Sequence, residues 1–432
     1  MEIINKDTLR KICDNIYQEL IRLQYKTGEF GKDCESEVAK ENQHRHAQIK
    51  NDNICNIRVL RKPNCSISLI AALGIMSYKG INDVAVQKAY NWFSNSKYVS
   101  SGWFHQNLYQ LDSDPFGSSS ASVEVQDVRH TATALLGVLS LGSTNTFSTA
   151  AFINLTQENV FDSRLGGWVA VANINTVANK FDFYTTVYML TNLKIINDQN
   201  LTTIYGIEPE KISLFINRGL NAICSTNINK LGYNDSLGQV LRANATMLFF
   251  CSNLMNERNN SFLKQSVAFL LDKKTEKPDG VNWNNDIQTT INVIAGLVKC
   301  IDYLPNEQFN TIINIIDSSL KFIMNHKNSL GYKHPASLGF LLCICTRMIH
   351  YCDLLDNSID ENLKNKINLQ IAKCYEFIKQ YPDRKEEIFS YISELQSILD
   401  KLSINTIESS NAAFNKIHSK IRYQLGDKFT VF

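Results

Sequence analysis

Apolar residues recur along this chain with the period of an α-helix, in two alternating kinds of segment. In the first kind they form a stripe. Ile212, Phe215, Ile216, Leu220 and Ile223 fall at i, i+3, i+4, i+8 and i+11, and Leu263, Val267, Leu270 and Leu271 at i, i+4, i+7 and i+8. Such a stripe predicts a helix buried on one face. In the second kind almost every position is apolar or small: TATALLGVLSL from Thr131, TTVYMLTNL from Thr185, TTINVIAGLV from Thr289 and ASLGFLLCIC from Ala336. A helix of that composition is enclosed on all sides.

A glycine-aromatic turn separates the two kinds of segment, and it recurs six times. The turns are Gly28-Glu29-Phe30, Gly102-Trp103, Gly167-Trp168, Gly232-Tyr233, Gly280 to Trp283, and Gly331-Tyr332. Their aromatic positions lie 73, 65, 65, 50 and 49 residues apart. The longer early spacings carry insertions of roughly 15 to 25 residues, a length usual for functional loops. Amphipathic outer helices and apolar inner helices, alternating six times, predict an all-α fold: an (α/α)6 toroid of six helical hairpins in two concentric rings. The twelve helices occupy roughly residues 10–352, within a first domain of residues 1–352. Residues 353–432 are helical in pattern, charged, and without the turn. We expect them to cap the ring or to bind a protein partner.

The turns carry a family resemblance. Arg164-Leu165-Gly166-Gly167-Trp168, followed by Phe181-Asp182-Phe183-Tyr184-Thr185-Thr186, resembles the turn and inner-helix start of a protein prenyltransferase β-subunit repeat. Gln157, ten residues before Gly167, resembles a degenerate member of the Gln-to-Trp repeats of squalene cyclases. The chain thus resembles the terpenoid-cyclase and protein-prenyltransferase toroid superfamily over most of residues 15–352. The resemblance implies a central cavity that takes an isoprenoid-like or other apolar guest, with Trp103, Trp168, Tyr184 and Trp283 near its mouth or wall. Function does not follow from fold alone.

Three inner helices begin with Asp four residues before Thr: Asp127 with Thr131, Asp182 with Thr186, and Asp286 with Thr290. Asp at such a position also caps a helix whatever the function. The second repeat reads Gln126-Asp127-Val128-Arg129-His130-Thr131-Ala132. It is similar to the Asp-x-Asp-Asp-Thr-Ala pattern of class II terpene cyclases, whose middle Asp is the general acid. Arg129 stands in that middle place and does not release its proton at useful pH. Standard class II chemistry is therefore not expected. No Asp-Asp-x-x-Asp run supports class I cyclisation, and no Asp-x-Cys pair completes a prenyltransferase zinc set.

The candidate catalytic residues are Asp127, Arg129 and His130. Arg129 at a helix start suits an anionic or polar ligand end, with His130 a proton donor or acceptor beside it. The alternative pairs Arg129 with a neighbouring carboxylate such as Asp182. Trp103, Trp168, Asp182, Tyr184, Thr185, Trp283, Asp286 and Gln288 are the candidate ligand-binding residues. Asp127, Asp182 and Asp286, on separate repeats, also leave a carbohydrate-active (α/α)6 enzyme as a lesser alternative. A third reading is a non-catalytic toroid scaffold.

Composition narrows this further. Nineteen glycines and seven prolines in 432 residues argue against a many-turned β architecture. A net charge of +2 offers no global field for nucleic acid. The eleven cysteines are scattered, several within apolar runs, and read as reduced small hydrophobes. His44-Arg45-His46 with Cys34, Cys55 and Cys65 has zinc-ligand chemistry but no regular spacing, as do His350, Cys352 and Asp353. No metal is favoured and no cofactor is assigned. No apolar run is long enough to span a membrane, and we expect a cytoplasmic protein.

Overall fold

A computed structural model describes residues 6–31, 47–48, 56–57, 64–95, 99–104, 128–170, 181–232, 236–355, 360–401 and 407–425. These residues are mostly helical, with four two-stranded antiparallel hairpins. Six helices carry the striped pattern: α1 (Lys6–Leu23), α3 (Val84–Asn95), α5 (Thr146–Leu155), α8 (Pro209–Cys224), α10 (Asn260–Asp272) and α12 (Asn306–Asn325). Six are apolar: α2 (Cys65–Lys79), α4 (Val128–Leu141), α6 (Phe183–Asp198), α9 (Leu237–Arg258), α11 (Ile287–Cys300) and α14 (Pro335–Leu355). Single-turn α7 (Thr202–Tyr205) and α13 (Leu330–Lys333) sit in connections. The last three helices are α15 (Asp360–Gln380), α16 (Lys385–Lys401) and α17 (Ile407–Leu425).

The six apolar helices pack in a closed circuit. α2 packs on α4, α4 on α6, α6 on α9, α9 on α11, α11 on α14, and α14 back on α2. The striped helices pack outside this circuit: α3 and α5 on α4, α8 on α6, α10 on α9, α12 on α11, and α1 on α14. Glycine permits the closing contact. A Cβ on Gly74 would stand 2.4 Å from the Gly339 carbonyl oxygen, so only bare backbone lets α2 and α14 approach this closely.

The turns are tied to the apolar helices by one repeated bond. Backbone N–H groups of Phe30, Phe104, Trp168 and Trp283 donate to the hydroxyls of Ser68, Thr131, Thr186 and Thr290, at 2.9 to 3.1 Å. All four acceptors are buried. The recurrent Ser/Thr at the inner-helix start is therefore an anchor for the turn. Short hairpins frame three of the turns: β3 (Val99–Ser100) with β4 (Trp103–Phe104), β5 (Phe161–Asp162) with β6 (Gly167–Trp168), and β7 (Thr275–Lys277) with β8 (Gly280–Asn282). The fourth hairpin pairs β1 (Ala47–Gln48) with β2 (Asn56–Ile57). Gly280 has φ +135 and lies against the Ser318 backbone of α12, which excludes any other residue there. The sixth turn differs from expectation. Gly331-Tyr332 is the helical turn α13, capped by the Ser329 hydroxyl, 3.3 Å from the Tyr332 N–H.

One hydrophobic core runs from Leu9 to Tyr351. A second, built around Leu363, Ile367, Phe377, Leu395, Phe414 and Ile421, lies among α15, α16 and α17. α17 also packs on α14 and on the 3-10 turn Ile301–Tyr303 at the end of α11. No disulfide joins the described cysteines. Among the described residues no helix is long and apolar enough to cross a membrane.

Candidate functional site

The N-terminal ends of the apolar helices hold most of the residues singled out from sequence. Asp182 caps α6, accepting from Thr185 N–H at 2.8 Å and from the Thr185 hydroxyl at 2.6 Å. Asp286 caps α11 in the same way through Thr289. The capping explanation thus accounts for both aspartates and for Thr185.

Arg129 faces Asp182 with a fork: Nε at 3.2 Å and Nη2 at 2.8 Å from its two oxygens. The N–H groups of Val128 and Arg129, which a helix start would offer to an anion, point to the Ala170 carbonyl at 3.1 and 3.3 Å. The arrangement is the ion pair named above as the alternative to an anion site. It repeats more loosely one step on, with Arg242 3.8 Å from Asp286 and 3.5 Å from the Gln288 side chain. His130 is half-buried in the first turn of α4. Asp127 lies outside the described residues, as do Tyr233, His44, Arg45, His46, Cys34 and Cys55.

The tryptophans have structural partners. Trp168 and Trp283 are fully buried, and their indole N–H groups donate to the carbonyls of Leu155 and Leu270 at 2.8 and 2.7 Å. Each closes the end of the preceding outer helix. Trp103 is also buried. Tyr184 is half-buried with an edge contact to Phe183, and burial pushes its phenol up. The tryptophans therefore belong to the layer between the two sets of helices, because each turn must seal the gap between an outer and an inner helix.

Aromatic rings fill the middle of the circuit. Tyr188, Phe250, Phe249 and Phe340 meet edge to face in series, with centroids 5.4, 5.0 and 4.9 Å apart, linking α6, α9 and α14. Tyr188 also reaches Ser66 on α2 at 3.4 Å. Beyond these rings, toward the C-terminal ends of the apolar helices, the structure opens.

A cavity of about 350 Å³ lies there, lined by side chains from all six apolar helices, among them Leu73, Leu136, Thr191, Asn253, Lys299 and Cys343. A second space of about 700 Å³ adjoins it and extends to Ser419 and Arg422 on α17. The two share Met76, Ser77, Ser140, Phe249, Lys299 and Cys343. Both volumes are of ligand size.

Three polar features mark this region. Lys299 faces the cavity, its ammonium 5.3 Å from the Phe249 ring centre and without a carboxylate in ion-pair range among the described residues. Its exposed surface is cavity surface: burial among the surrounding helices pushes its pKa down. The cavity's other lysine, Lys194, is paired with Asp198 at 3.0 Å and Glu257 at 3.1 Å. Asn253 is 1% exposed, and neither amide atom has a hydrogen-bond partner.

The third feature is a network at the outer end. Arg347 donates to Asp302 and to the Ser419 hydroxyl, and Tyr351 donates to Asp302 at 3.1 Å. Burial pushes the Asp302 carboxyl up against the pull of Arg347, and Asp302 in turn keeps Arg347 charged. His350 and His418 stack nearby, ring centres 5.8 Å apart. Burial first, then the neighbouring charges, lowers them to about 4 and about 3.

Lys299, Asn253, Asp302 and Arg347 were not singled out from sequence. A signal existed for one of them. Lys299 interrupts a helix that is otherwise apolar all round, so its charge is placed inside. No group of three or more His, Cys, Asp or Glu able to hold a metal ion occurs among the described residues. Compared with known proteins, the chain matches no family model and no curated protein.

Proposed function

We propose that this chain is an (α/α)6 toroid of the terpenoid-cyclase and prenyltransferase kind that binds an apolar, isoprenoid-like ligand with a polar or anionic end. The observation that carries the reading is the cavity lined by all six apolar helices. Supporting it are the closed packing circuit, the mainly apolar wall, and a lone ammonium facing inward. The aromatic series of Tyr188, Phe250, Phe249 and Phe340 forms the floor, so the ligand enters from the side covered by α17. In this reading the ring is a binding chamber. Its Asp127, Arg129 and His130 segment, lacking the general acid of class II cyclases, keeps the opposite mouth closed through the Arg129–Asp182 pair.

Native mass spectrometry of purified protein with farnesol tests this. The expected result is a one-to-one complex that survives salt washing. Absence of any complex with farnesol or with a co-purified lipophile refutes it.

A second reading is favoured by a separate observation. Leu369, Tyr375 and Phe389 are exposed on α15 and α16, with Tyr375 and Phe389 in edge contact at 6.3 Å. Exposed aromatics of this kind suit a protein partner, and the ring is then a scaffold for these helices. Pull-down with residues 353–432 present or deleted, scored on a partner lost by Tyr375→Ser, separates the two readings.

A further inference from the structure

We infer that Lys299 and Asn253 form a receptor for a single carboxylate, so that the ligand of this cavity is an apolar monocarboxylic acid held head-inward at the C-terminal ends of the apolar helices. The inference rests on the proposed ligand-binding reading and names the chemistry of its polar end.

Two independent observations meet in the same cavity. One is a charge with no counter-charge: the Lys299 ammonium lies over Phe249, while Lys194 and Arg347 are neutralised by Asp198, Glu257 and Asp302. A desolvated ammonium is costly unless an anion joins it. The other is Asn253, enclosed to 1% exposure with both amide atoms unmet. Buried amides of that kind are normally satisfied, and an exception points to a missing partner. A carboxylate is an acceptor only, with two oxygens. One can accept from the Lys299 ammonium and the other from the Asn253 amide, leaving the amide oxygen for a water.

Charge counting selects one negative charge over two. The C-terminal ends of six helices point their carbonyls toward this region, which favours a cation and opposes added negative charge. Lys299 balances a monoanion, whereas a dianionic phosphate brings a second charge with no cation assigned to it. The tail then lies along Leu73, Met76, Leu136, Ile195, Phe249 and Leu254. This end of the molecule is opposite the helix N-termini where an anion was first sought.

Equilibrium binding of dodecanoate, 1-dodecanol and dodecyl phosphate to the full chain tests the inference without any mutation. Dodecanoate is expected to bind at least about tenfold more tightly than dodecanol, as one charge-assisted hydrogen bond allows, and at least as tightly as dodecyl phosphate. Lys299→Met is expected to weaken dodecanoate roughly tenfold to hundredfold and leave dodecanol unchanged. Asn253→Leu is expected to weaken dodecanoate several-fold, with dodecanol again unchanged. If dodecanol binds as well as dodecanoate in the wild type, the carboxylate receptor is overturned while the ligand-binding reading stands. Tighter binding of dodecyl phosphate overturns the assignment of a monoanion. If none of the three binds, the ligand-binding reading itself fails. Wild-type dodecanoate affinity in a folded Lys299→Met protein removes Lys299 from the site.

Discussion

The network at the end of α11 is where the ring holds its C-terminal helices, and it yields a quantitative test. Asp302 is 6% exposed and accepts from Arg347 on α14 and from Tyr351; Arg347 also donates to Ser419 on α17. Asp302→Leu removes the counter-charge at nearly constant size and leaves the Arg347 guanidinium buried alone. Breaking a buried pair from one side costs about 3–5 kcal/mol. The Arg347 side chain retains 22% exposure at the cavity edge, which places the expectation near the lower bound, about 3 kcal/mol. Replacing both partners, Asp302→Leu with Arg347→Met, should recover most of that loss, because no charge is then stranded.

Guanidinium unfolding reads this twice. All four tryptophans, Trp92, Trp103, Trp168 and Trp283, precede residue 353, so their fluorescence follows the ring, while far-UV circular dichroism follows every helix. In Asp302→Leu the dichroism transition should move to lower denaturant than the fluorescence transition, as α15 to α17 let go first. The reasoning is refuted if the single variant loses less than about 1 kcal/mol, or if the double variant equals the sum of the two single losses.

The histidine pair makes stability pH-dependent. His350 and His418, at about 4 and about 3 in the fold against about 6.5 unfolded, stay neutral when folded. Their contribution is complete above pH ~6.5 and is lost as pH falls toward 4, by up to about 1.4 kcal/mol per pH unit for each histidine. His418→Leu should flatten the fall measured between pH 7 and 5; an unchanged slope counts against the assignment. Thr186→Val leaves the buried Trp168 N–H without its acceptor and should cost about 1–3 kcal/mol in denaturant titration, while Thr186→Ser keeps most of the stability. Equal midpoints for the two variants would contradict the anchoring role of the hydroxyl. Ser140 lines both cavities. Ser140→Trp should therefore abolish farnesol binding with far-UV dichroism intact, and retention of wild-type affinity would move the ligand elsewhere.

The sequence by itself determined the helices and their two kinds. A stripe such as Ile212, Phe215, Ile216, Leu220 and Ile223 can bury only one face, and TTINVIAGLV can expose none, so the inside-outside order is a consequence of composition. It also determined the capping aspartates, since a carboxylate three residues before an orphan N–H has a strong local partner. Local chemistry of that sort reads directly from neighbouring residues. The small hairpins around the turns were less legible, because two or three residues of strand leave no periodicity.

What only the tertiary structure decided is where unlike helices meet. The pairing of Arg129 with Asp182 joins residues 53 apart, and it turned a candidate anion site into an ion pair. Trp168 and Trp283 looked like ligand contacts because aromatic side chains serve both cavities and seams; the carbonyls of Leu155 and Leu270 settled which. Lys299, Asn253, Asp302 and Arg347 lie on three different helices and the turn after α11, with no shared spacing. Their significance is electrostatic and depends on burial, on which charges find partners, and on the C-terminal helix dipoles around them. Those quantities come into being only when six helices close around a common space.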